Sequence, residues 1–317
     1  MFHNSNLSHR RWRRTKAAKP SLAMGHLLPE DYCAPTVQFR ETKSLMKPRS
    51  RNLDGPFFVD AHVHFHPCYP ADQILDAAMT NITGCAANRG APEQILGCLL
   101  LAETARDDFF SALRDGSSGV EVGHWRLEST DEEISLLACL NDRPALLLVS
   151  GRQIATYEGL EVLALVSGER IRDGLPLDET IEAVRSIGGI ALVPWGFGKW
   201  WFGRGRLLEQ YLRSPKGGSV LLGDNGGRPG QLPRPPLFAL VAKQSLPILP
   251  GSDPLPMRSQ MSRIGTYGFV LEGTLDRRTP AAGLKRLIEN LDHQPPLFGH
   301  TAGLVRFVVD QCRLRLR

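Results

Sequence analysis

The chain has 317 residues, of which 42% are hydrophobic and 22% are charged. These proportions are typical of globular proteins and exclude a wholly disordered chain. The longest apolar stretches, such as 145–149 and 160–166, are much shorter than the roughly 18 residues that cross a bilayer, so the sequence predicts no membrane span.

The net charge of +5 is concentrated at the amino terminus. Residues 1–52 hold 11 Lys/Arg and three acids, whereas residues 53–317 hold 27 Lys/Arg and 30 Asp/Glu, a net charge of −3. This contrast predicts a disordered basic extension over 1–52 and a folded domain over 53–317. The arginines of the extension could contact phosphates or acidic lipid, but the acidic body argues against nucleic acid as a partner.

The compartment is predicted from signals and cysteines. No apolar run of 7–15 residues follows the early arginines, so a secretory signal is not expected, while an amphipathic transit peptide stays open. The six cysteines are scattered without a Cys-x-x-Cys pair, which favours reduced thiols. We therefore expect a soluble, cytoplasmic protein whose oligomeric state the sequence does not specify.

Short apolar runs recur along the body and predict strands. Runs that are apolar on both faces are typical of strands in a parallel sheet covered by helices. In chain order they are Phe57–Ala61, Leu96–Leu101, Ala145–Ser150, Leu160–Val166, Gly189–Val193, Ser219–Leu222 and Leu246–Leu249.

Amphipathic segments between these runs predict helices, and the alternation predicts βα units. A short connection between the third and fourth runs leaves a hairpin open there, and 120–128 could add a strand beside them. The predicted helices are Pro70–Asn81, Ala105–Arg114, Thr130–Asn141, Leu177–Ile187, Arg206–Arg213, Pro235–Lys243 and Thr279–Leu291.

The first strand ends in alternating histidines. In the segment 57–67, His62 and His64 are two residues apart on extended backbone, so both imidazoles point to one side and could chelate a divalent ion. His66 continues the period next to a proline and is a further candidate ligand. Solvent-facing strand histidines would be the structural alternative.

The last predicted strand ends in an acid, Asp253, within the segment Gly251-Ser252-Asp253. In an α/β barrel the carboxyl ends of the strands meet at one face, where Asp253 would lie opposite the histidines and serve as ligand and catalytic carboxylate. An Asx-turn before the following proline is the alternative role for this residue.

These two motifs together resemble the polymerase-and-histidinol-phosphatase (PHP) family of metal-dependent phosphoesterases. Between them, 148–153 resembles the family's strand-Gly-x-Glu motif and 188–195 its Gly-Gly-strand-His-Pro motif. The resemblance covers residues 57–275. It implies a TIM-like, distorted (β/α)7 barrel with a metal centre that hydrolyses esters.

The sequence departs from the family's metal ligands at three positions. Gln153 replaces a glutamate, Pro194 or Trp195 replaces a histidine, and Leu255 stands where the family has a histidine after the final acid. The resemblance therefore implies one divalent ion, zinc or manganese, rather than a full cluster. Three ligands and a water can hold such an ion and lower the pKa of that water enough to attack an ester.

Further candidate residues lie where other strands end. Asp224 ends the run that begins at 219 and is a candidate catalytic base or ligand, although its Asp-Asn-Gly-Gly setting also suits a turn. A tryptophan-rich segment at 194–206 offers Trp195 as a wall and Lys199 and Arg204 as anion ligands, with Arg228 nearby along the chain. Aromatic packing with solvated cations would be the structural alternative.

Two functions are consistent with this pattern. The first is a metal-dependent hydrolase, acting on a small anionic substrate such as a phosphate ester. The second is a catalytically degenerate relative that binds a ligand or a partner and retains two histidines. The three ligand positions that differ from the family keep this second hypothesis open.

Overall fold

The computed structural model describes residues 50–92, 94–116 and 121–316. The chain divides into the units Met1–Lys47 and Pro48–Arg317, and the described residues belong to the second. The predicted basic extension over 1–52 lies almost wholly outside the described residues, and the boundary with the body stays a prediction.

The strands of the described residues form three sheets. A seven-stranded sheet has the order β14-β12-β2-β3-β6-β5-β4, a five-stranded sheet has the order β11-β10-β9-β8-β7, and β1 pairs with β13. The strand bounds are β1 Asn52–Asp54, β2 Phe57–Val63, β3 Leu96–Leu101, β4 Arg126–Ser129, β5 Ser135–Leu140, β6 Arg143–Val149, β7 Gly151–Ala155, β8 Glu161–Leu165, β9 Ile190–Pro194, β10 Leu221–Asn225, β11 Ile248–Gly251, β12 Tyr267–Leu271, β13 Thr274–Asp276 and β14 Leu297–Gly299.

Helices follow many of the strands, as the amphipathic segments predict. Two short 3-10 helices, Gly217–Ser219 and Arg258–Arg263, add to them. The α-helices of the described residues are α1 Ala71–Ala87, α2 Phe109–Arg114, α3 Leu177–Ser186, α4 Phe202–Arg213, α5 Pro236–Ala242, α6 Pro280–Glu289 and α7 Leu304–Arg315. No helix among the described residues is long and apolar enough to span a membrane.

The predicted barrel is wrong. No closed barrel is found among the described residues, and both large sheets end in edge strands. Among the named strands of the described residues, parallel pairing joins only β2-β3-β6 and β9-β10-β11. Antiparallel hairpins replace βα units elsewhere, because β5 returns directly into β6 and β7 into β8. The hairpin that the sequence left open between the third and fourth runs does not form, because β6 and β8 lie in different sheets and β8 pairs instead with β7, which follows β6 directly.

All seven predicted strands are present, but one predicted helix is wrong. The segment 130–141 forms β5 instead of a helix, since its run Ser135–Leu140 is almost entirely buried between β4 and β6. The acidic residues Asp131, Glu132 and Glu133 lie in the turn before this strand. Burial on both faces of the strand outweighs the local helical pattern.

The two large sheets share a hydrophobic core, and the carboxyl ends of β2 and β11 lie beside each other. One buried cluster contains Val59 and Leu100 from the seven-stranded sheet and Leu163 and Leu192 from the five-stranded sheet. The backbone nitrogen of Asp253 donates to the His62 carbonyl at 2.8 Å. This contact brings the end of β11 beside the end of β2, where the site lies.

Candidate metal centre

His62 and His64 lie at the end of β2 with their imidazoles side by side. The Nε2 atoms are 3.0 Å apart and the ring centroids 4.9 Å apart. The pairing of β2 with β3 shifts register between Asp60 and Val63. The strand is therefore irregular where it positions the two imidazole rings. Both histidines are buried, with 4% and 6% of their surface exposed.

Asp253 lies far from the two histidines in the sequence but completes a group of three side chains with them in the fold. Its Oδ1 lies 3.6 Å from His62 Nε2 and 3.4 Å from His64 Nε2. The residue has a φ of 43°, a left-handed conformation that aspartate tolerates better than most residues. A Cβ at Gly251 would collide with the backbone of His62, so glycine is required for this close approach.

The spacing of these three atoms fits a divalent ion. Bonds of about 2.0–2.1 Å at tetrahedral angles separate neighbouring ligand atoms by roughly 3.3 Å, and the three separations here are 3.0, 3.4 and 3.6 Å. Two imidazole nitrogens and a carboxylate form a donor set that zinc accepts. The group could therefore bind a metal ion.

Neighbouring residues hold these side chains in place. Asn225 donates from Nδ2 to Oδ2 of Asp253. Gln153 Oε1 lies 3.2 Å from His62 Nε2, the nitrogen that would bind a metal, so a bound ion would replace this contact. The buried carboxylate of Asp60 accepts backbone N–H groups from His62, Ser252 and Gly265 at 2.8 to 3.3 Å. Such outer contacts orient metal ligands.

Burial and charge act in opposite directions on the pKa values of this group. Burial lowers the pKa of His62. Burial also acts to lower the pKa of His64, but the nearby carboxylates, Asp253 first among them, outweigh it and raise that pKa. Burial alone would raise the pKa of Asp253, but the two imidazoles and Asn225 hold it well below its ordinary value. Burial raises the pKa of Asp60 to about 6, although its hydrogen bonds with Ser252, Gly265 and His62 act in the opposite direction.

His66 and Asp224, two further predicted site residues, lie outside this group. His66 stacks on His64 with centroids 5.3 Å apart, but its Nε2 donates to the Pro254 carbonyl at 2.9 Å. Arg228 donates to both carboxylate oxygens of Asp224 at 2.7 and 2.9 Å, and the Tyr267 hydroxyl donates to one of them. The roles predicted for Asp224 and Arg228 stay predictions.

A pocket of about 310 Å³ opens beside the group. We call it the histidine pocket and define it by His64, Gln153, Glu161, Lys199 and Asp253, which all line it. Its far wall includes side chains of α7, which packs across it.

The predicted anion ligands divide between this pocket and its surroundings. Lys199 lines the pocket and forms an ion pair with Glu161, and Trp195 lines it as well. Arg204 donates instead to the Gly198 carbonyl at 2.8 Å and is not part of the lining. Arg228 is paired with Asp224.

Sequence reasoning missed several residues of the pocket. Asn225 is adjacent to Asp224 in β10, and alternation along a strand turns neighbouring side chains to opposite faces, so Asn225 meets Asp253 while Asp224 does not. Arg263 lines the pocket and donates to the Gly226 carbonyl. No strand or motif precedes Arg263, and the sequence carries no signal for it.

Solved structures with a distant likeness to this chain include the following three. PsfC from Pseudomonas syringae PB-5123 is 15% identical with a TM-score of 0.48, over 82% of this chain and 98% of PsfC. The lesion-specific endonuclease PfuEndoQ from Pyrococcus furiosus is 14% identical with a TM-score of 0.43. The match covers 75% of this chain and 56% of the PfuEndoQ chain.

The third is an Endonuclease Q complex with a 27-mer duplex that has an abasic lesion at the active site. It is 13% identical with a TM-score of 0.34, over 70% of this chain and 53% of that chain. No family model and no curated relative matches this chain. Likeness of this strength assigns neither a family nor an activity, so the resemblance to the PHP family stays a prediction.

Proposed function

We propose that the chain is a metal-dependent hydrolase of small anionic esters, with phosphate esters as the first class to test. The observation that carries the proposal is the triangle of ligand atoms from His62, His64 and Asp253. It lies beside a pocket whose lining includes cationic side chains. One divalent ion, zinc or manganese, suits this donor set. When bound, such an ion supplies Lewis-acid activation of water at neutral pH.

The protein's own residues would bind and orient the substrate. Lys199 and Arg263 line the histidine pocket and offer N–H groups to an anionic group, with Glu161 fixing the position of the Lys199 ammonium. Asp253 stays ionised at neutral pH because its pKa is held well below its ordinary value. An ionised carboxylate fits both roles predicted for it, as ligand and as catalytic group.

Elemental analysis and turnover together test this proposal. We expect about one zinc or manganese ion for each purified chain, and metal-stimulated hydrolysis of 4-nitrophenyl phosphate that His62→Ala and Asp253→Asn abolish. His124→Ala is the matched control, since His124 is exposed and contacts Asp76 away from the pocket. A chain without stoichiometric metal and without metal-stimulated turnover would remove the proposal.

The substrate panel should include nucleic acid, because the argument against it rests on net charge alone. A duplex oligonucleotide with an abasic site, compared with an intact duplex, serves for this purpose. Cleavage of either duplex in preference to small phosphate esters would change the substrate class and leave the metal site intact.

A binding protein without catalysis is the second candidate. Two observations favour it: the neutral amide of Gln153 contacts His62, and the Lys199–Glu161 ion pair occupies the pocket. Replacing His62 and His64 together by alanine separates the two candidates. If cellular function survives that double substitution, the binding protein is correct and the hydrolase is not.

A further inference from the structure

The last helix, α7, has an apolar side that faces away from the protein. Of residues 304–316, only Phe307 and Asp310 are buried, so the helix lies on the surface as a ridge. Val305, near its beginning, is 80% exposed. We use the name outer stripe for the exposed aliphatic side chains on this side, which are Leu304, Val305, Val308, Val309 and Leu316.

Helical spacing separates the outer stripe from the side of α7 that packs on the protein. Positions 304, 305, 308 and 309 are three and four residues apart, so their side chains share one side of the helix. Phe307 and Asp310 lie two positions beyond Val305 and Val308, which is about 200° around the helix. Phe307, Asp310 and Leu314 line the histidine pocket. The stripe therefore points away from this pocket.

The charges beside the outer stripe are positive. Arg306, Arg313 and Arg315 are exposed on α7. Among the described residues of this helix the one acid is Asp310, which is buried, with its carboxylate 3.5 Å from Arg306 Nε. Arg258 and Arg313 also line a depression of about 350 Å³ at the end of the stripe. A surface helix normally turns its aliphatic side toward the core, so an outward stripe marks a binding surface. Its occupant must be apolar along the stripe and negatively charged beside it.

Charge argues against an occupant supplied by this chain. In a symmetric dimer the stripe would pack on itself and bring the arginines of both helices together. A stable dimer also buries about 20–30 residues on each side, many more than the stripe offers. Residues 1–52 carry the wrong charge, since they have 11 Lys/Arg and three acids. The same excess of cations would instead add to the attraction of an anionic surface.

Exposed aromatic residues adjoin α7. The Phe197 ring contacts the rings of Phe307 in α7 and of Trp201, each with centroids 4.9 Å apart. Trp201 is 49% exposed and its neighbour Phe202 is 83% exposed. Tryptophan and phenylalanine beside aliphatic and basic residues are typical of segments that lie in the interface of a bilayer. A protruding helix also suits a deformable lipid surface, whereas a protein partner would need a groove that fits it.

We propose that the outer stripe of α7 docks on a lipid surface that contains anionic lipids. Its aliphatic side chains enter the boundary between headgroups and acyl chains, and Arg258, Arg313 and Arg315 contact lipid phosphate. The helix lies in the plane of the surface and does not cross it. This docking goes beyond the proposed hydrolase and does not depend on it, because His62, His64 and the other ligand of the metal centre take no part.

Vesicle flotation with the full chain tests the docking. The chain should float with vesicles made of equal parts of phosphatidylcholine and phosphatidylserine, and Val305→Glu should weaken this binding at least tenfold. Tyr157→Glu is the matched control, because Tyr157 is also 80% exposed but lies in the turn between β7 and β8. It adds the same charge and should leave binding unchanged. Equal binding by the two variants, which the cations of residues 1–52 alone would produce, would overturn the proposal.

The requirement for anionic lipid is tested with Arg313→Gln and with vesicles of phosphatidylcholine alone. Both changes should weaken binding several-fold, whereas Arg286→Gln, at an exposed position of α6, should not. Equal binding to the two kinds of vesicle would overturn this requirement.

Two further outcomes would assign the stripe to a protein. Binding to neither kind of vesicle would overturn the proposal and favour a partner with an acidic surface. A dimer in sedimentation equilibrium that Val305→Glu dissociates would overturn it in favour of a second copy of this chain.

Discussion

Asp253 and Asp224 lie at the ends of neighbouring strands, yet their surroundings are entirely different. Asp253 meets two imidazoles and an amide, which leaves a donor set with space beside it for a cation and a substrate. Asp224 is saturated by Arg228 and Tyr267 in a buried ion pair. The comparison teaches that the position of an acid at a strand end does not define its role, because its partners do.

The largest expected effect concerns the stability of the Asp224 side of this comparison. Arg228→Met leaves the Asp224 carboxylate buried without its partner, and breaking such a pair costs about 3–5 kcal/mol. Urea denaturation should show this loss in the free energy of unfolding. Arg213→Met, which removes an exposed helical ion pair with Glu209, should cost less than about 0.5 kcal/mol. A loss below about 1 kcal/mol for Arg228→Met would contradict the assignment.

The Asp253 side should respond in metal affinity instead. Changing outer contacts of a metal site already costs about 10–100-fold in affinity, so Asp253→Asn should weaken zinc binding by at least about 100-fold. Competition with a chromophoric chelator measures this. Asp224→Asn should retain zinc and lose stability, and the opposite pattern would reverse the assignment of the two acids.

Asn225 links the two sides, since it follows Asp224 in β10 and contacts Asp253. Asn225→Ala leaves all three ligands present but frees the Asp253 carboxylate, so zinc affinity should fall about 10–100-fold. Asn290→Ala, at an exposed position after α6, is the control and should leave affinity unchanged. Unchanged affinity in Asn225→Ala would mean that Asp253 needs no positioning residue.

The smallest effect is a pH dependence of zinc affinity. A proton competes with the metal for His64, whose pKa is raised above the ordinary 6.5, and competes less for His62, whose pKa is lowered by burial. Affinity should therefore be constant above the pKa of His64 and fall about tenfold for each pH unit below it. Chelator competition between about pH 8 and pH 5.5 measures it, and a flat profile would exclude His64 as a ligand.

Much of the site could be predicted from local patterns. Alternation along an extended strand turns His62 and His64 to one side, and an apolar run followed by an acid puts Asp253 at a strand end. Both inferences need a few neighbouring residues and no knowledge of the fold. The seven strands were predictable for the same reason, since an apolar run records burial directly.

The pairing of strands that lie far apart in the chain could not be predicted from the sequence. The apolar runs are equally compatible with a barrel and with open sheets, because pairing direction and sheet edges depend on partners far along the chain. Gln153 illustrates this: the sequence indicates a lost ligand, whereas in the fold its amide oxygen lies 3.2 Å from His62.

The sequence by itself therefore determined seven of the fourteen strands of the described residues, the histidine pair and the acid that follows β11. The tertiary structure decided that the sheets are open and that Asp224 pairs with Arg228 while Asn225 supports Asp253. The reason is physical: strand periodicity and burial act over a few residues, whereas sheet pairing and the contacts of a side chain depend on segments up to about two hundred residues away, as the 192 positions between Asp60 and Ser252 illustrate.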